Sequence, residues 1–359
     1  MFNYQRFYLN DKSLENKNIQ QFLKMGKPLY FKNRLPITND IRNLVLKTRE
    51  EIENIIQGKS NKKLLIIGPC SVHNTKEAFE YGKKLKKLSD RIKDKFLIVM
   101  RVYFEKPRTT IGWKGLINDP DLDETFSVNR GLYLARELLL KLNGIGLPCG
   151  YEILDTITPQ YISDLISWGA IGARTTESQI HRQLVSGLSM PVGFKNGTGG
   201  SINIASDAIL SARFPHCFAG ILPNSEAAII RTLGNKNCHL ILRGGKDGPN
   251  YTKEFLDKSE ELLKENNLPQ AIMVDCSHGN SLKNHKNQER VFKYIIKQIK
   301  ENRTSLIGMM VESNINEGKQ QLGGKLKFGV SITDSCLCIE DTVMIVMDGY
   351  LKLGIKKKN

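Results

Sequence analysis

Leu64-Leu65-Ile66-Ile67-Gly68-Pro69-Cys70-Ser71 (64–71) sets the pattern for the chain: four apolar residues, a glycine and a proline that end a strand, then a thiol able to bind a ligand. Seven further apolar runs follow the same plan, at 96–103, 149–154, 170–173, 192–195, 239–243, 271–276 and 305–311. Between them, apolar residues recur at three- and four-residue spacing over 76–88, 129–142, 159–167, 202–213, 253–265, 287–300 and 339–353. Those stretches read as helices. Eight strands alternating with helices predict an α/β chain folded as a (β/α)8 (TIM) barrel over 61–359, close to the usual size of about 250 residues plus insertions.

Outward from the barrel, 104–125 is a long polar connection, and 217–237 holds a second apolar alternation that predicts an inserted hairpin before strand six. Residues 1–60 read as an N-terminal helical extension for regulation or subunit contact. Its early part is rich in Asn, Lys and aromatics, and its end, 39–58, sets Ile41, Leu44, Val45, Thr48, Ile52, Ile55 and Ile56 on one helical face.

A chain of 359 residues with 40% apolar and 25% charged content is no stapled mini-domain and no disordered tail. Its formal charge of +16 favours anionic partners. Nucleic acid is the less supported of these, because neither a basic helix with interleaved aromatics nor zinc-finger spacing is present. No apolar run reaches the roughly 20 residues of a membrane helix. The first residues lack the apolar core of a signal peptide, so a cytoplasmic location without membrane contact is expected. Seven cysteines suit a reducing compartment, and Cys149, Cys217, Cys238, Cys276, Cys336 and Cys338 are expected in the core.

Barrels of this kind do chemistry at the C-terminal ends of their strands. Here strand one runs into Cys70, strand two into Arg101 and then Lys106 and Arg108, strand three into Glu152, and strand four into Arg174. Strand five ends on Lys195, six on Arg243, seven on Asp275 and then His278, and eight on Glu312. Like charges about 4 Å apart repel by roughly 4 kcal/mol at an effective dielectric near 20. So many cations around one mouth therefore call for a ligand carrying phosphate and carboxylate. Cys70, His278, Glu312 and a further carboxylate, for which Asp334 after strand eight is the best candidate, make a mixed soft and hard set suited to a divalent transition metal with an open position. Lys195 has a rival role as a Schiff-base nucleophile. The glycine-rich stretches 193–200 and 244–248 match no Walker loop, and no organic cofactor is expected.

The segments GPCS (68–71), RVYFEKPRTTIGWKG (101–115), GARTTESQIHR (172–182), PVGFKNGT (191–198), LILRGGK (240–246), VDCSHGN (274–280), VESN (311–314) and SITDSC (331–336) closely resemble the class I DAHP synthases. Those enzymes condense phosphoenolpyruvate, erythrose 4-phosphate and water to 3-deoxy-D-arabino-heptulosonate 7-phosphate (DAHP) and phosphate, at the entry to the shikimate pathway. The resemblance implies one divalent metal of the Mn, Fe, Co or Zn class on Cys70, His278, Glu312 and Asp334. It implies phosphoenolpyruvate on Arg101, Lys106, Arg174, Lys195 and Arg243 with Glu152 nearby, and erythrose 4-phosphate on Arg108 and Thr109. Lys106, Cys70 and His278 would carry the catalysis. Family members are inhibited by aromatic amino acids, and Pro159, Gln160, Leu188 and Ser189 match positions around that effector cleft, with tyrosine or phenylalanine favoured. A homo-oligomer, dimer or tetramer, is also expected.

Overall fold

The computed structural model describes residues 14–354. The first thirteen residues of the expected extension and the terminal lysines 356–358 lie outside the described residues. Five parallel strands come first: β1 (Lys63–Gly68), β2 (Phe96–Arg101), β3 (Cys149–Glu152), β4 (Trp168–Ile171) and β5 (Val192–Lys195). An antiparallel pair, β6 (Cys217–Ile221) and β7 (Ala227–Arg231), then stands outside the barrel, as expected for the inserted hairpin. The barrel resumes with β8 (Cys238–Leu242), β9 (Ile272–Asp275) and β10 (Leu306–Asn314). Parallel pairing of β1 with β10, which sets Ile66 beside Met310 and Gly68 beside Glu312, closes the circle.

Helices α1 (Pro28–Arg34) and α2 (Asn39–Ile56) precede the barrel. Around it run α3 (Thr75–Ile92), α4 (Val128–Gly144), α5 (Pro159–Ile162), α6 (Gln179–Ser186), α7 (Asn203–Ala212), α8 (Lys253–Glu265), α9 (Gln288–Lys300) and α10 (Ile339–Gly354). Local chemistry starts them. Asn74 Oδ1 accepts from the amides of Lys76 and Glu77 at the head of α3, and Thr38 Oγ1 accepts from Ile41 at the head of α2. In α3, Ala78, Tyr81, Leu85, Leu88 and Ile92 then bury one face.

The barrel interior is filled by Leu64, Ile66, Val99, Trp168, Ile241, Met273 and Met310, and Ile52, Ile55 and Ile56 of α2 pack into the same cluster. Helix α2 thus closes the N-terminal end of the barrel. Each fully buried isoleucine there contributes roughly 1.5–3 kcal/mol. Inside, Trp168 Nε1 donates to His239 Nε2 at 2.9 Å, and burial pushes that imidazole down to about 4, so it stays neutral and can accept.

Three local expectations change. The helix read at 159–167 is only α5 followed by a single 3-10 turn, Ser163–Leu165. Side chains occupy its carbonyls instead: Arg136 donates to Tyr161 O, and Arg49 to Ser163 O and Ile166 O. The two-turn α6 went unread, because its eight residues bury only Leu184, Val185 and Ser186. Of the six cysteines expected in the core, Cys217 is exposed on β6, whose cysteine end is uncovered among the described residues, and Cys338 is half-buried just before α10.

Candidate active site

The strand ends and the loops after them surround a cavity of about 700 Å³. Arg101, Lys106, Arg108, Thr109, Glu152, Arg174, Lys195 and Arg243 all line it, as do His278, Glu312 and Asp334. Cys70 is fully buried and joins the cavity wall through its contacts with Lys106 and Asp334.

Three of the four expected ligand groups converge, and His278 falls outside that cluster but beside Glu312. One donor atom from each of Cys70, Glu312 and Asp334 lies within 4.8 Å of the other two. The Cys70 thiol donates to Asp334 Oδ2 at 3.2 Å, and His278 Nε2 faces Glu312 Oε1 at 3.8 Å. Burial, with Glu312 next, pushes the Cys70 thiol up to about 12, so a thiolate here needs a cation beside it. Burial works against the Lys106 ammonium, but Cys70 at 2.7 Å and Asp334 at 3.2 Å outweigh it and raise Lys106 above the ordinary lysine range. Lys106 in turn holds Asp334 well below the usual carboxylate range. One soft and several hard donors around a single point fit a divalent transition metal.

Cations line the same cavity. Arg101 is 1% exposed and stacks on Tyr103 at 3.8 Å. It donates to Pro69 O (3.0 Å), Cys70 O (3.2 Å) and Glu312 Oε1 (2.8 Å), while its Nη1 is buried without a hydrogen-bond partner. An unsatisfied buried guanidinium donor beside a cavity is what an anionic ligand would complete. Lys195 Nζ lies 3.2 Å from Asp275 and 3.9 Å from Glu152, an ion-paired lysine suited to anion binding. Arg174 Nη2 donates to Thr109 Oγ1 at 3.0 Å and so links the loop after β4 to the loop after β2.

Three buried asparagines lace the loops that present these groups. Asn196 Oδ1 accepts from Arg243 N, and Asn250 Nδ2 donates to the same oxygen. Asn250 Oδ1 accepts from Gly244 N, and Asn280 Oδ1 from Asn250 N. Gly244 has φ +75° and lies against Gly279; a Cβ on Gly244 would come within 2.5 Å of the Gly279 carbonyl carbon. His278 itself has φ 55°, a left-handed backbone rare outside glycine and held here by the surrounding network.

Some functional candidates were not read from the sequence. Ser277, Thr198, Lys283, His285 and Lys319 also line the cavity, on loops whose path no periodicity reveals. Asp275 was legible as a strand end, but not its contact with His278, 3.0 Å from Oδ2 to Nδ1. None of the four effector positions lines this cavity. Pro159 and Gln160 open α5 beside α1, where Tyr161 donates to Gly26 O at 2.7 Å; Leu188 and Ser189 lie in the turn after α6, where Asn235 Nδ2 reaches Leu188 O.

Fold and cavity together define the class: a (β/α)8-barrel enzyme with a charged cavity at the C-terminal mouth. The model of the DAHP synthetase I family matches residues 35–347. The Phe-sensitive phospho-2-dehydro-3-deoxyheptonate aldolase of Escherichia coli K12 is 50% identical over 337 residues, covering 93% of this chain and 95% of its own. The tyrosine-inhibited counterpart of Schizosaccharomyces pombe is 47% identical over 331 residues, covering 90% and 89%. The solved structure of the Francisella tularensis SCHU S4 phospho-2-dehydro-3-deoxyheptonate aldolase aligns with TM-score 0.93 at 46% identity, covering 95% of this chain and 100% of that one. This chain belongs to the DAHP synthetase I family. Among the described residues, no helix is long and apolar enough to cross a membrane.

Proposed function

We propose that this chain is a cytoplasmic, metal-dependent DAHP synthase that condenses phosphoenolpyruvate, erythrose 4-phosphate and water to DAHP and phosphate. The observation that carries the reading is the convergence of Cys70, Glu312 and Asp334 within 4.8 Å in a cavity walled by Arg101, Arg174, Lys195 and Arg243. Cys70, His278, Glu312 and Asp334 would hold a divalent transition metal, which supplies Lewis acidity to the aldehyde oxygen. Arg101, Arg174, Lys195 and Arg243 bind the carboxylate and phosphate of phosphoenolpyruvate and hold its C3 at attack distance from the aldehyde carbon. Arg108 and Thr109 bind the phosphate of the aldose. As the carbon–carbon bond forms, Lys106 Nζ donates a proton to the developing alkoxide. Water adds to C2 of phosphoenolpyruvate, and the C–O bond to phosphate breaks while the same cations offset its charge.

Incubation with both substrates tests the reading: DAHP and phosphate in equal amounts, lost with EDTA and restored by Mn²⁺, support it. EDTA-insensitive turnover trapped by borohydride on Lys195 would instead favour a Schiff-base aldolase. The names of the E. coli and S. pombe relatives support inhibition by phenylalanine or tyrosine at a site including Pro159, Gln160, Leu188 and Ser189. Unaltered activity at millimolar levels of each aromatic amino acid would remove that part. Assembly into a dimer or tetramer belongs to the same reading, supported by the exposed apolar side chains Ile229 and Leu233 on and beside the hairpin.

A further inference from the structure

Asp275 ends β9 with no exposed surface, and its two oxygens face different groups: Oδ1 accepts hydrogen bonds, and Oδ2 stands at ion-pair distance from two basic side chains without an aligned hydrogen bond. Oδ1 accepts from Ser277 N at 3.0 Å and from Ser277 Oγ at 2.6 Å. Oδ2 lies 3.0 Å from His278 Nδ1 and 3.2 Å from Lys195 Nζ. Ser277 Oγ is also 2.6 Å from His278 Nδ1. Since the serine proton is given to Asp275, both oxygens facing Nδ1 can only accept. Nδ1 is therefore the nitrogen that donates, and Nε2 lies on the side facing Glu312.

We propose that Asp275 is a positioning residue that joins the two halves of the site. It fixes the His278 imidazole with Nε2 toward the Cys70, Glu312 and Asp334 set, and the same oxygen seats Lys195 among the anion-binding groups. Imidazole and ammonium then cannot shift independently, so the spacing between cation and phosphoenolpyruvate is set by one carboxylate. A histidine ligand whose second nitrogen meets a carboxylate is oriented and made more basic, and loss of that partner weakens metal binding by about 10–100-fold. The backbone supports the same geometry. Asn280 Nδ2 donates to Asp275 O at 2.9 Å, and Gly279 N to Arg243 O at 3.0 Å, pinning both sides of the left-handed residue His278.

The inference rests on the metal-dependent reading, and one experiment separates the two. The purified chain is stripped of metal, and Mn²⁺ is titrated by calorimetry into wild type, Asp275→Asn and Glu152→Gln. Glu152→Gln removes a negative charge from the same cavity, 3.9 Å from Lys195, and Glu152 neither hydrogen-bonds nor ion-pairs with His278. It controls for charge loss alone. The expected result is about tenfold or weaker Mn²⁺ affinity in Asp275→Asn and less than about threefold change in Glu152→Gln. At saturating Co²⁺, where affinity no longer matters, the visible d–d bands should shift in Asp275→Asn and stay in place in Glu152→Gln. Equal affinities and equal spectra for Asp275→Asn and wild type would overturn the proposal. No Mn²⁺ binding by wild type would overturn the metal reading instead. Should Asp275→Asn fail to fold, Ser277→Ala removes the hydroxyl that joins Asp275 to His278. The proposal then requires about a threefold or larger loss of Mn²⁺ affinity, and an unchanged value contradicts it.

Discussion

The two ends of the barrel are built from the same strands and obey opposite rules. At the bottom, Leu64, Ile66 and Ile307 meet Ile52, Ile55 and Ile56 of α2, and the contacts are apolar. At the mouth, residues such as Arg101, Lys195, Asp275 and Glu312 are also nearly inaccessible, yet all are charged. Burying charge is costly unless each group is paired, and here pairing is partial: Arg101 Nη1 stays unsatisfied. The bottom is therefore the region that supplies stability, and the mouth holds groups whose full complement is a ligand.

That contrast breaks most visibly at the metal set. His278→Ala or Cys70→Ala should lower turnover by about a thousandfold, the loss typical of removing a major electrostatic stabiliser, while the thermal midpoint stays level or rises. Turnover in the presence and absence of Mn²⁺, beside a melting curve, checks both halves. The mirror experiment is Ile52→Ala, which opens a cavity at the bottom. It should cost about 2–5 kcal/mol in urea unfolding and leave kcat/KM unchanged for the folded fraction. If the folded fraction of Ile52→Ala lost kcat/KM along with stability, the two ends would not be separable.

A smaller effect sharpens the boundary between the regions. Glu105 is adjacent in sequence to Lys106 but buried against Tyr151 and Thr158, and burial, with Asp155 next, pushes its carboxyl up to about 8. The folded value lies above the unfolded 4.5. The native state therefore holds an extra proton between them, and the stability linked to that proton is lost as pH rises through about 8. Relative to Glu105→Gln, wild type should lose stability between pH 4.5 and 8 and no more above, read from urea midpoints across that range. The smallest effect is expected outside both ends: Cys217→Ser on the exposed hairpin should change stability by less than about 0.5 kcal/mol and leave turnover intact.

The strands and their endings were legible because each ends abruptly, an apolar run meeting a Gly, Arg, Lys, Asp or Glu. That break alone puts Cys70, Arg101, Lys195 and Glu312 at strand ends, which a parallel barrel gathers at one mouth. Where tertiary partners decide, the sequence was silent. The carbonyls after α5 are taken by Arg49 and Arg136 from distant helices, which shortened an expected helix. Likewise nothing in the polar connection 104–125 marks Glu105 as buried; Tyr151 and Thr158 around it do that. The role proposed for Asp275 depends on side-chain directions that no spacing encodes.

The proposed metal-dependent condensation at the mouth is tested by phosphate release from phosphoenolpyruvate by metal-free enzyme, with erythrose 4-phosphate present, as Mn²⁺ is added stepwise. No release is expected without metal or without the aldose, and with both it should rise and level off at one metal per chain. Full release from metal-free enzyme, or from Cys70→Ala at the same low metal, would contradict it.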